Sequence, residues 1–403
     1  MTIRPPSNVH EILKTQDIQV LASGVDSLYL SMQVEWEHTD IFDYLTSIKN
    51  KAREYNTDYQ GILNSGHELF EWPFIIKPHG TNGYEWLLKG HDYTIKVGNW
   101  KDLRDRPSIM AEISSETLWH LGVEEAVSRL KDIISNSGGN LIEVKLSRAD
   151  LCIDVLIPKE LWSIHLIDYA VTRATDIAPY YKHRKLTGIR IGKGIISARL
   201  YDKPLEIAQQ SKKYWMYAIW GIGIDEIPDD KMIIRIEFQL RREFLKQVKL
   251  NTIDDLISLH SNAWARCTQI WLRFEDGIGK HVSRRKTLPF WKAIQAGYEG
   301  AQRANPLVRE KAYVQDKRRV MSQIIGHLSS LMAIELERTN ADLNATVDLT
   351  STLITYLNEI GHLEIDIDYE LNKELRKKRA RCHRASKGEL EIIKVQGLKT
   401  VLQ

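Results

Sequence analysis

Residues 145–156 read Lys-Leu-Ser-Arg-Ala-Asp-Leu-Cys-Ile-Asp-Val-Leu, and this stretch decides the fold. Successive side chains of a β-strand point to opposite faces of the sheet. One face of this segment is therefore apolar, and the other carries Arg148, Asp150, Cys152 and Asp154. The sequence predicts a strand that packs one face on a core and presents charged groups on the other.

Two later segments repeat this alternation. Residues 195–203 place four polar groups on one face: Ser197, Arg199, Tyr201 and Lys203. Residues 232–240 do the same with Arg235, Glu237 and Gln239. Alternation alone is typical of any half-exposed antiparallel strand, so each segment by itself indicates only a strand. The polar faces carry Asp, Glu, Arg and Tyr instead of Lys, Thr and Ser, which favours a functional surface.

The rest of the chain predicts an α+β fold with a mainly antiparallel sheet, flanking helices and a helical carboxy-terminal region. Strands are expected at 28–34 and 109–113 and on both sides of Lys89–Gly90, with helices at 40–55 and 115–135. Glycines at 187–194 predict a hairpin turn that enters the Tyr201 strand. Later helical segments are expected at 253–274, from Asn305–Pro306 to about 337, at 350–361 and at 367–381. A boundary near residue 250 divides the chain into domains 1–250 and 251–403.

Composition excludes several classes of protein. The 403 residues hold 56 Lys plus Arg and 53 Asp plus Glu, and 43% are hydrophobic, as in ordinary globular proteins. The sequence has no apolar run long enough to cross a bilayer and no apolar segment typical of a secretion signal. Three scattered cysteines (Cys152, Cys267 and Cys382) exclude a disulfide framework and a CxxC zinc site. We expect a reduced, cytoplasmic protein that does not bind membranes.

Positive charge is concentrated in two clusters, although the formal net charge is only +3. One cluster comprises Lys280, Arg284, Arg285 and Lys286, and the other Arg376, Lys377, Lys378, Arg379 and Arg381. Such runs are often solvated helix faces or tails. Closely spaced cations also bind phosphates by displacing condensed counterions. Both interpretations stay open for both clusters.

Tyr201 is the candidate for chemistry, because the glycine spacing at 187–194 excludes a phosphate-binding P-loop and the sequence lacks a His-x-His metal motif. A tyrosine hydroxyl becomes a useful nucleophile when neighbouring cations or a metal stabilise the phenolate. Arg199 and Lys203 flank Tyr201, and Arg148 and Arg235 could orient carboxylates or contact phosphates. The nearby carboxylates are Asp150, Asp154, Glu206 and Glu237, whose hard oxygens suit Mg²⁺ or Mn²⁺. A packed strand tyrosine is the alternative to phosphodiester chemistry.

The three strands, in this order, resemble the replication-initiation-factor (Rep_trans) family of rolling-circle plasmid and phage initiators and related conjugative relaxases. Residues 147–154 resemble its Thr-Arg-x-Asp-x-x-x-Asp strand, and 199–206 its Arg-Ile-Tyr-Asn-Lys-x-x-Glu segment. Residues 234–242 resemble its Arg-Val-Glu-x-Glu-Leu-Lys-Arg strand, and the likeness covers about residues 105–245 with a fainter echo at 24–30. Two positions depart from the pattern: Asp202 replaces Asn, and Gln239 replaces Glu and removes a carboxylate.

The resemblance implies a metal-dependent DNA nickase. Tyr201 would attack origin DNA, form a 5′-phosphotyrosyl link and free a 3′-hydroxyl, with Lys203 and Arg199 beside it. Mg²⁺ or Mn²⁺ would be held by Asp150 and Glu237 and then Glu206, with Asp154 structural. The DNA would be single-stranded or a hairpin at the nick and duplex beside it, bound by Arg148, Arg235 and the two basic clusters.

Further expectations concern partners and alternatives. A host helicase and polymerase are the expected partners, and a homodimer is possible by family analogy. The alternatives are a relaxase that nicks a transfer origin, a non-catalytic DNA-binding relative, and a structural or interaction protein.

Overall fold

The computed structural model describes residues 17–37, 39–64, 71–99, 106–277, 281 and 285–308 of the chain. Most of the described strands belong to one sheet of eleven strands whose paired neighbours run antiparallel. Its strands are β1 (Gln19–Trp36), β2 (Tyr59–Asn64), β3 (Glu71–Ile76), β4 (Trp86–Lys89), β5 (Tyr93–Val97), β6 (Ile109–Ile113), β7 (Gly139–Pro158), β9 (Ile177–Lys182), β10 (Lys185–Ile191), β11 (Ile196–Asp202) and β12 (Lys231–Arg241). A small sheet holds β8 (Ala170–Thr172), β13 (Leu272–Asp276) and β14 (Lys286–Thr287).

The strand order across the large sheet is β2-β3-β4-β5-β6-β1-β7-β12-β11-β10-β9. The two longest strands, β1 and β7, lie in the middle and pair from Gln19↔Leu156 to Trp36↔Gly139. The three strands that the alternation predicts, β7, β12 and β11, are adjacent. This adjacency brings their polar faces together on one side of the sheet.

Seven helices of the described chain flank the strands. They are α1 (Asp40–Glu54), α2 (Ser115–Asn136), α3 (Lys203–Glu206), α4 (Met216–Trp220), α5 (Arg242–Gln247), α6 (Ile253–Ala265) and α7 (Pro289–Gly297). Single π-helical turns follow α3 at Ile207–Ser211 and α6 at Arg266–Trp271, and short 3₁₀ turns lie at Lys159–Leu161, Ile164–Tyr169 and Ala301–Arg303. Thr252 and Asp255 form a reciprocal capping box that fixes the start of α6. The structure therefore confirms the predicted α+β class, an antiparallel sheet with flanking helices.

The apolar side of the central strands is the main core. Leu151 and Ile153 of β7 and Phe238 of β12 are fully buried there. Trp264 of α6 meets the Phe238 ring edge-on at 5.3 Å and stacks on Tyr298 at 4.6 Å. The segment after residue 250 thus supplies one wall of the core that the sheet needs.

The compact unit of the sheet therefore continues past residue 250, where the sequence predicts a domain boundary. The compact unit that contains the sheet extends to Arg309. The predicted helix at 253–274 ends earlier, because α6 and its π turn give way to β13 at Leu272. Residues 305–308 are not helical, and the helices predicted further along the chain lie outside the described residues.

The polar side of the central strands is partly covered. A second, smaller apolar cluster lies there and includes Leu156, Ile207, Met216, Trp220 and Ile233. It closes over the end of β7 and β12 that carries Asp154 and Arg235. Arg199 and Tyr201, on the neighbouring strand β11, stay more open.

No helix in the described part of the chain is both long enough and apolar enough to cross a membrane.

Candidate active site

Strand pairing arranges the polar residues in rows across β7, β12 and β11. Tyr201, Arg235 and Asp154 form one row of directly opposed residues. The next two rows are Arg199, Glu237 and Cys152, and then Ser197, Gln239 and Asp150. Because directly opposed residues point to the same face, the three segments that alternation singles out form one polar surface.

Tyr201 and Arg199 meet at Glu237. The Tyr201 hydroxyl donates to Glu237 Oε2 over 2.9 Å, and Arg199 Nη2 donates to Glu237 Oε1. The same Arg199 nitrogen donates to Asp150 Oδ2 over 3.2 Å. One guanidinium therefore bridges two carboxylates while 41% of its side chain stays exposed. A charged donor that is bound on one side and open on the other can contact an incoming anion.

Asp150 is fully buried and is held by a second arginine. Arg148 Nε donates to Asp150 Oδ1 over 2.8 Å, and its guanidinium packs over the Tyr29 ring at 4.7 Å. Burial raises the pKa of Asp150 to about 7, and the charge of Glu237 adds to this effect against the two arginines. Asp150 can therefore gain or lose a proton near neutral pH.

The Tyr201 phenol is protonated in this arrangement. Burial, and then the charge of Glu237, raise the pKa of Tyr201 well above 10.0. Its proton already points at a carboxylate, so attack by the oxygen can be coupled to proton transfer. Lys203 Nζ lies 5.5 Å from the centre of the Tyr201 ring and donates to Glu206 Oε2 over 2.6 Å. Burial and the charge of Arg235 lower the pKa of Lys203.

Arg235 is too deeply buried to contact DNA, which is one of the two roles that the sequence predicts for it. It is 0% exposed, and its guanidinium binds both oxygens of Asp154 over 2.7 Å. Trp220 Nε1 donates to the same carboxylate over 2.8 Å. Arg235 therefore orients carboxylates, the other role open to it, and cannot reach a DNA phosphate from this position.

Asp26 completes this buried charge cluster, although it is not among the site residues predicted from the sequence. Arg235 Nη1 donates to Asp26 Oδ1 over 2.5 Å, as do Ser115 Oγ over 2.8 Å and Trp119 Nε1 over 3.1 Å. Burial opposes ionisation of Asp26, but the charges of Arg235, Lys213 and Lys203 and the hydrogen bond from Ser115 together outweigh it and hold the pKa well below its usual value. Asp26 lies within residues 24–30, whose faint likeness to the family pattern is the sequence signal that could have found it.

Two backbone irregularities place these groups. The pairing of β1 with β7 shifts register between Val25 and Ser27, so Asp26 lies in a β-bulge. Helix α2 is kinked at Gly122, which has a φ of 79°. Ser115 and Trp119 lie before the kink, four residues apart on one side of the helix, and both reach Asp26.

The carboxylates predicted as metal ligands do not form a cluster. Asp150 and Glu237 share Arg199, whereas Glu206 binds Lys203 and accepts a hydrogen bond from Ser211 Oγ over 3.2 Å. In the described residues, no group of three or more His, Cys, Asp or Glu side chains is placed to hold a metal ion. Arginine, lysine and hydroxyl donors already bind the carboxylate oxygens that a divalent ion would need, so this arrangement does not fit a resident Mg²⁺ or Mn²⁺.

Gln239, the position where the family pattern has Glu, lies directly beside the paired carboxylates. It pairs across the strands with Asp150. With its amide oxygen turned toward Arg148, it accepts from Arg148 Nη1 over 2.8 Å and donates to Ser197 Oγ over 3.2 Å. A carboxylate here would have been the third anionic group of the site.

The predicted basic clusters are mostly outside the described residues. This holds for Lys280, Arg284, Arg376, Lys377, Lys378, Arg379 and Arg381. Arg285 precedes β14 and Lys286 lies in it, so these two belong to the small sheet and not to the polar surface with Tyr201.

A different basic group lies next to Tyr201. The turn between β9 and β10 has the sequence Lys182-His183-Arg184-Lys185, and all four side chains are exposed. His183 and Arg184 have φ values of 47° and 64°, as a tight hairpin turn requires. Four residues are too short a run to stand out in the sequence, and only strand pairing brings them near the candidate nucleophile.

An open cleft of about 520 Å³ leads to Tyr201 from this side. Its lining includes Tyr180, Gly188, Arg199 and Gln209. Tyr201 is itself one of the residues that line the cleft.

Comparisons with known proteins add little to this site. No protein-family model and no curated protein sequence matches the chain. Among solved structures, one match is the rolling-circle replication initiator protein from Geobacillus stearothermophilus. It is 13% identical, covers 72% of this chain and 98% of that chain, and has a TM-score of 0.40. At this identity and TM-score the likeness gives no basis for assigning an activity to this chain.

Proposed function

We propose that this protein cuts one strand of DNA by transesterification, with the Tyr201 hydroxyl as the nucleophile. The observation that carries the proposal is the hydrogen bond of 2.9 Å from that hydroxyl to Glu237, within a cluster bridged by Arg199. The ordered likeness of the three strands to the replication-initiation-factor family supports it independently.

Side chains of the site can accept and return the proton that this reaction moves. The Tyr201 oxygen bonds to phosphorus as its proton moves to Glu237, and the bond from phosphorus to the 3′-oxygen breaks. The 3′-oxygen leaves as a hydroxyl by taking up a proton, which Glu237 can return. Arg199, partly exposed beside the phenol, stabilises the charge that develops on the phosphoryl oxygens. The phosphodiester energy is kept in the phosphotyrosyl bond, so the strand can be rejoined.

We propose rolling-circle replication as the process that this cut begins, on the strength of the motif resemblance. The 3′-hydroxyl would prime a host polymerase behind a host helicase on plasmid or phage DNA. A relaxase that starts conjugative transfer would use the same chemistry, and deleting the gene separates the two, since either replication or transfer is lost. A divalent ion and a homodimer belong to the same family-based proposal, and no step above depends on either.

The test uses labelled single-stranded oligonucleotides that tile the DNA element encoding the protein, with Mg²⁺ or Mn²⁺ or with EDTA. We expect a covalent adduct on a denaturing gel for the wild type and none for Tyr201→Phe. Tyr29→Phe is the matched control, because Tyr29 lies on the same face of the sheet, beneath Arg148. It should form the adduct, and mass spectrometry should locate the nucleotide on the Tyr201 peptide.

An adduct that persists in Tyr201→Phe would remove Tyr201 from the role of nucleophile. A protein that binds an oligonucleotide yet forms no adduct on any of them would favour the non-catalytic DNA-binding alternative.

A further inference from the structure

An exposed aromatic ring lies close to the candidate nucleophile. In the pairing of β9, β10 and β11, Gly188 is directly opposite both Tyr180 and Tyr201. The three residues therefore form one row on the polar face, a continuation of the row that holds Arg235 and Asp154. The Tyr180 side chain is 49% exposed, and it forms part of the cleft that leads to Tyr201.

Gly188 leaves the space between Tyr180 and Tyr201 free of a side chain. A β-carbon at this position would lie 3.3 Å from Tyr201 Cβ and 3.8 Å from Tyr180 Cδ2. The first distance is tighter than ordinary packing, so a side chain here would press on the base of the Tyr201 side chain, whereas the second is an ordinary contact. Bare backbone thus forms the floor of the cleft between Tyr180 and Tyr201.

The Tyr180 ring is held in place from its far end. Arg190 Nε donates to the Tyr180 hydroxyl over 3.0 Å, and Arg190 Nη2 donates to Asp176 Oδ1 over 2.9 Å. Because this ring is already fixed, a ligand that stacks on it loses less affinity to the ordering of a side chain.

Positive and amide groups complete the surroundings of this ring. Lys182 follows Tyr180 on the same face, and its Nζ donates to Gln209 Oε1 over 2.7 Å. The exposed side chains of Arg184 and Lys185 lie in the same hairpin. An exposed ring with cations along one side is the pattern of a single-strand binding surface, where bases stack and the backbone follows the charge.

We propose that the Tyr180 ring stacks on the base of a nucleotide close to the scissile phosphate, with the Lys182–Lys185 hairpin along the adjoining phosphates. The substrate is single-stranded DNA, since a paired base in a duplex does not offer its face. Stacking on an aromatic ring accepts any base, so Tyr180 positions the strand and does not read its sequence. This inference rests on the proposed function of Tyr201.

A double-mutant cycle between the ring and the base tests the proposal. Binding is measured by fluorescence anisotropy in a Tyr201→Phe background, with single-stranded oligonucleotides in which one abasic site is moved along the strand. Tyr180→Ala should weaken binding to the intact strand about tenfold. When the abasic site is at the nucleotide that stacks on Tyr180, Tyr180→Ala should weaken binding no further, because the base is already missing.

Two matched variants separate stacking from other effects. Tyr180→Phe keeps the ring and loses only the hydroxyl that Arg190 holds, so it should retain most of the affinity that Tyr180→Ala loses. Tyr55→Ala removes a ring that is 63% exposed and stacks on Tyr59 of β2, at the opposite edge of the sheet, and should leave binding unchanged.

The proposal is overturned if Tyr180→Ala weakens binding equally at every abasic position or not at all, or if Tyr180→Phe binds as poorly as Tyr180→Ala. If Tyr180→Ala and one abasic position are coupled in a protein that forms no covalent adduct, the stacking site stands and the transesterification does not. An adduct without this coupling would support the transesterification and remove the stacking site.

Discussion

Tyr201 on β11 and Glu237 on β12 share a hydrogen bond of 2.9 Å although they belong to different rows of the sheet. Arg199, directly opposite Glu237, binds the other carboxylate oxygen, so Glu237 is oriented by a phenol on one side and a guanidinium on the other. The proton acceptor is thus in place before any substrate arrives.

Glu237→Gln should slow adduct formation by about 10²- to 10³-fold, because an amide keeps the shape of the side chain but cannot accept the phenol proton. Binding to the same oligonucleotide should change little. Single-turnover adduct formation and anisotropy measure the two quantities separately. Glu243→Gln, an exposed substitution on α5, is the control. Equal rates for the wild type and Glu237→Gln would show that Glu237 is not the base.

Arg235→Met should destabilise the protein by about 3–5 kcal/mol, because it leaves Asp154 and Asp26 buried without a counter-charge. Urea denaturation gives the free energy of unfolding. Arg241→Met, on the exposed end of the same strand, should shift it by no more than about 0.5 kcal/mol. A loss for Arg235→Met as small as that of the control would mean that the two carboxylates find other partners.

Asp150 should make the folded state less stable as the pH rises from about 4 to about 7. Its pKa is raised from 3.8 to about 7, so over this window the folded chain keeps a proton that the unfolded chain releases. The free energy of unfolding therefore falls with rising pH through this window, by an amount on the order of a few kcal/mol. Denaturation of Asp150→Asn over the same pH range should lack this fall. Parallel profiles for the two proteins would contradict the raised pKa.

Gln239→Glu should create the divalent-metal site that the wild-type arrangement does not provide. The new carboxylate would lie beside Asp150 and close to Glu237, and a set of carboxylate oxygens is what Mn²⁺ and Mg²⁺ prefer. Calorimetric titration with Mn²⁺ should show tighter binding than in the wild type. The added substitution Asp150→Asn should cancel the gain. Unchanged Mn²⁺ affinity would show that this part of the surface does not bind metal.

A chain that ends at residue 250 should fail to fold, whereas one that ends at Arg309 should keep the cooperative unfolding of the sheet. The shorter chain lacks Trp264, which covers Phe238 and stacks on Tyr298. Loss of one large buried aromatic side chain alone costs about 3–5 kcal/mol. Thermal unfolding followed by near-ultraviolet circular dichroism distinguishes the two. A folded chain 1–250 would support the boundary predicted from the sequence.

Alternation predicts β7, β11 and β12 well because each has one apolar and one polar face, and period two is a local property of a strand. The same rule fails at β1, where the bulge at Asp26 shifts the phase and hides a carboxylate of the buried cluster. It also extends the Tyr201 strand one residue too far. Asp202 ends β11 and caps the next helix by accepting from the Leu205 amide over 2.9 Å, so Lys203 belongs to a helix and not to the strand face.

The burial of Arg235 and the position of Tyr180 depend on contacts between distant parts of the chain, which the local sequence pattern does not predict. Nothing local to Arg235 indicates that Trp220 and Met216 cover it, so its role as an exposed DNA contact was a reasonable expectation from alternation alone. Tyr180 lies next to Tyr201 only because β10 pairs with both neighbouring strands.

The bond between Arg235 and Asp26 joins residues that are 209 positions apart in the chain. During synthesis, β1 and β7 emerge from the ribosome with Asp26 and Asp154 on them, long before β12 brings the guanidinium that neutralises both. Burying the two carboxylates without this counter-charge is costly, so the centre of the sheet closes only when β12 inserts between β7 and β11. Such late, non-local closure makes folding slow, and it leaves Glu237, the partner of the phenol, among the last groups to take its place.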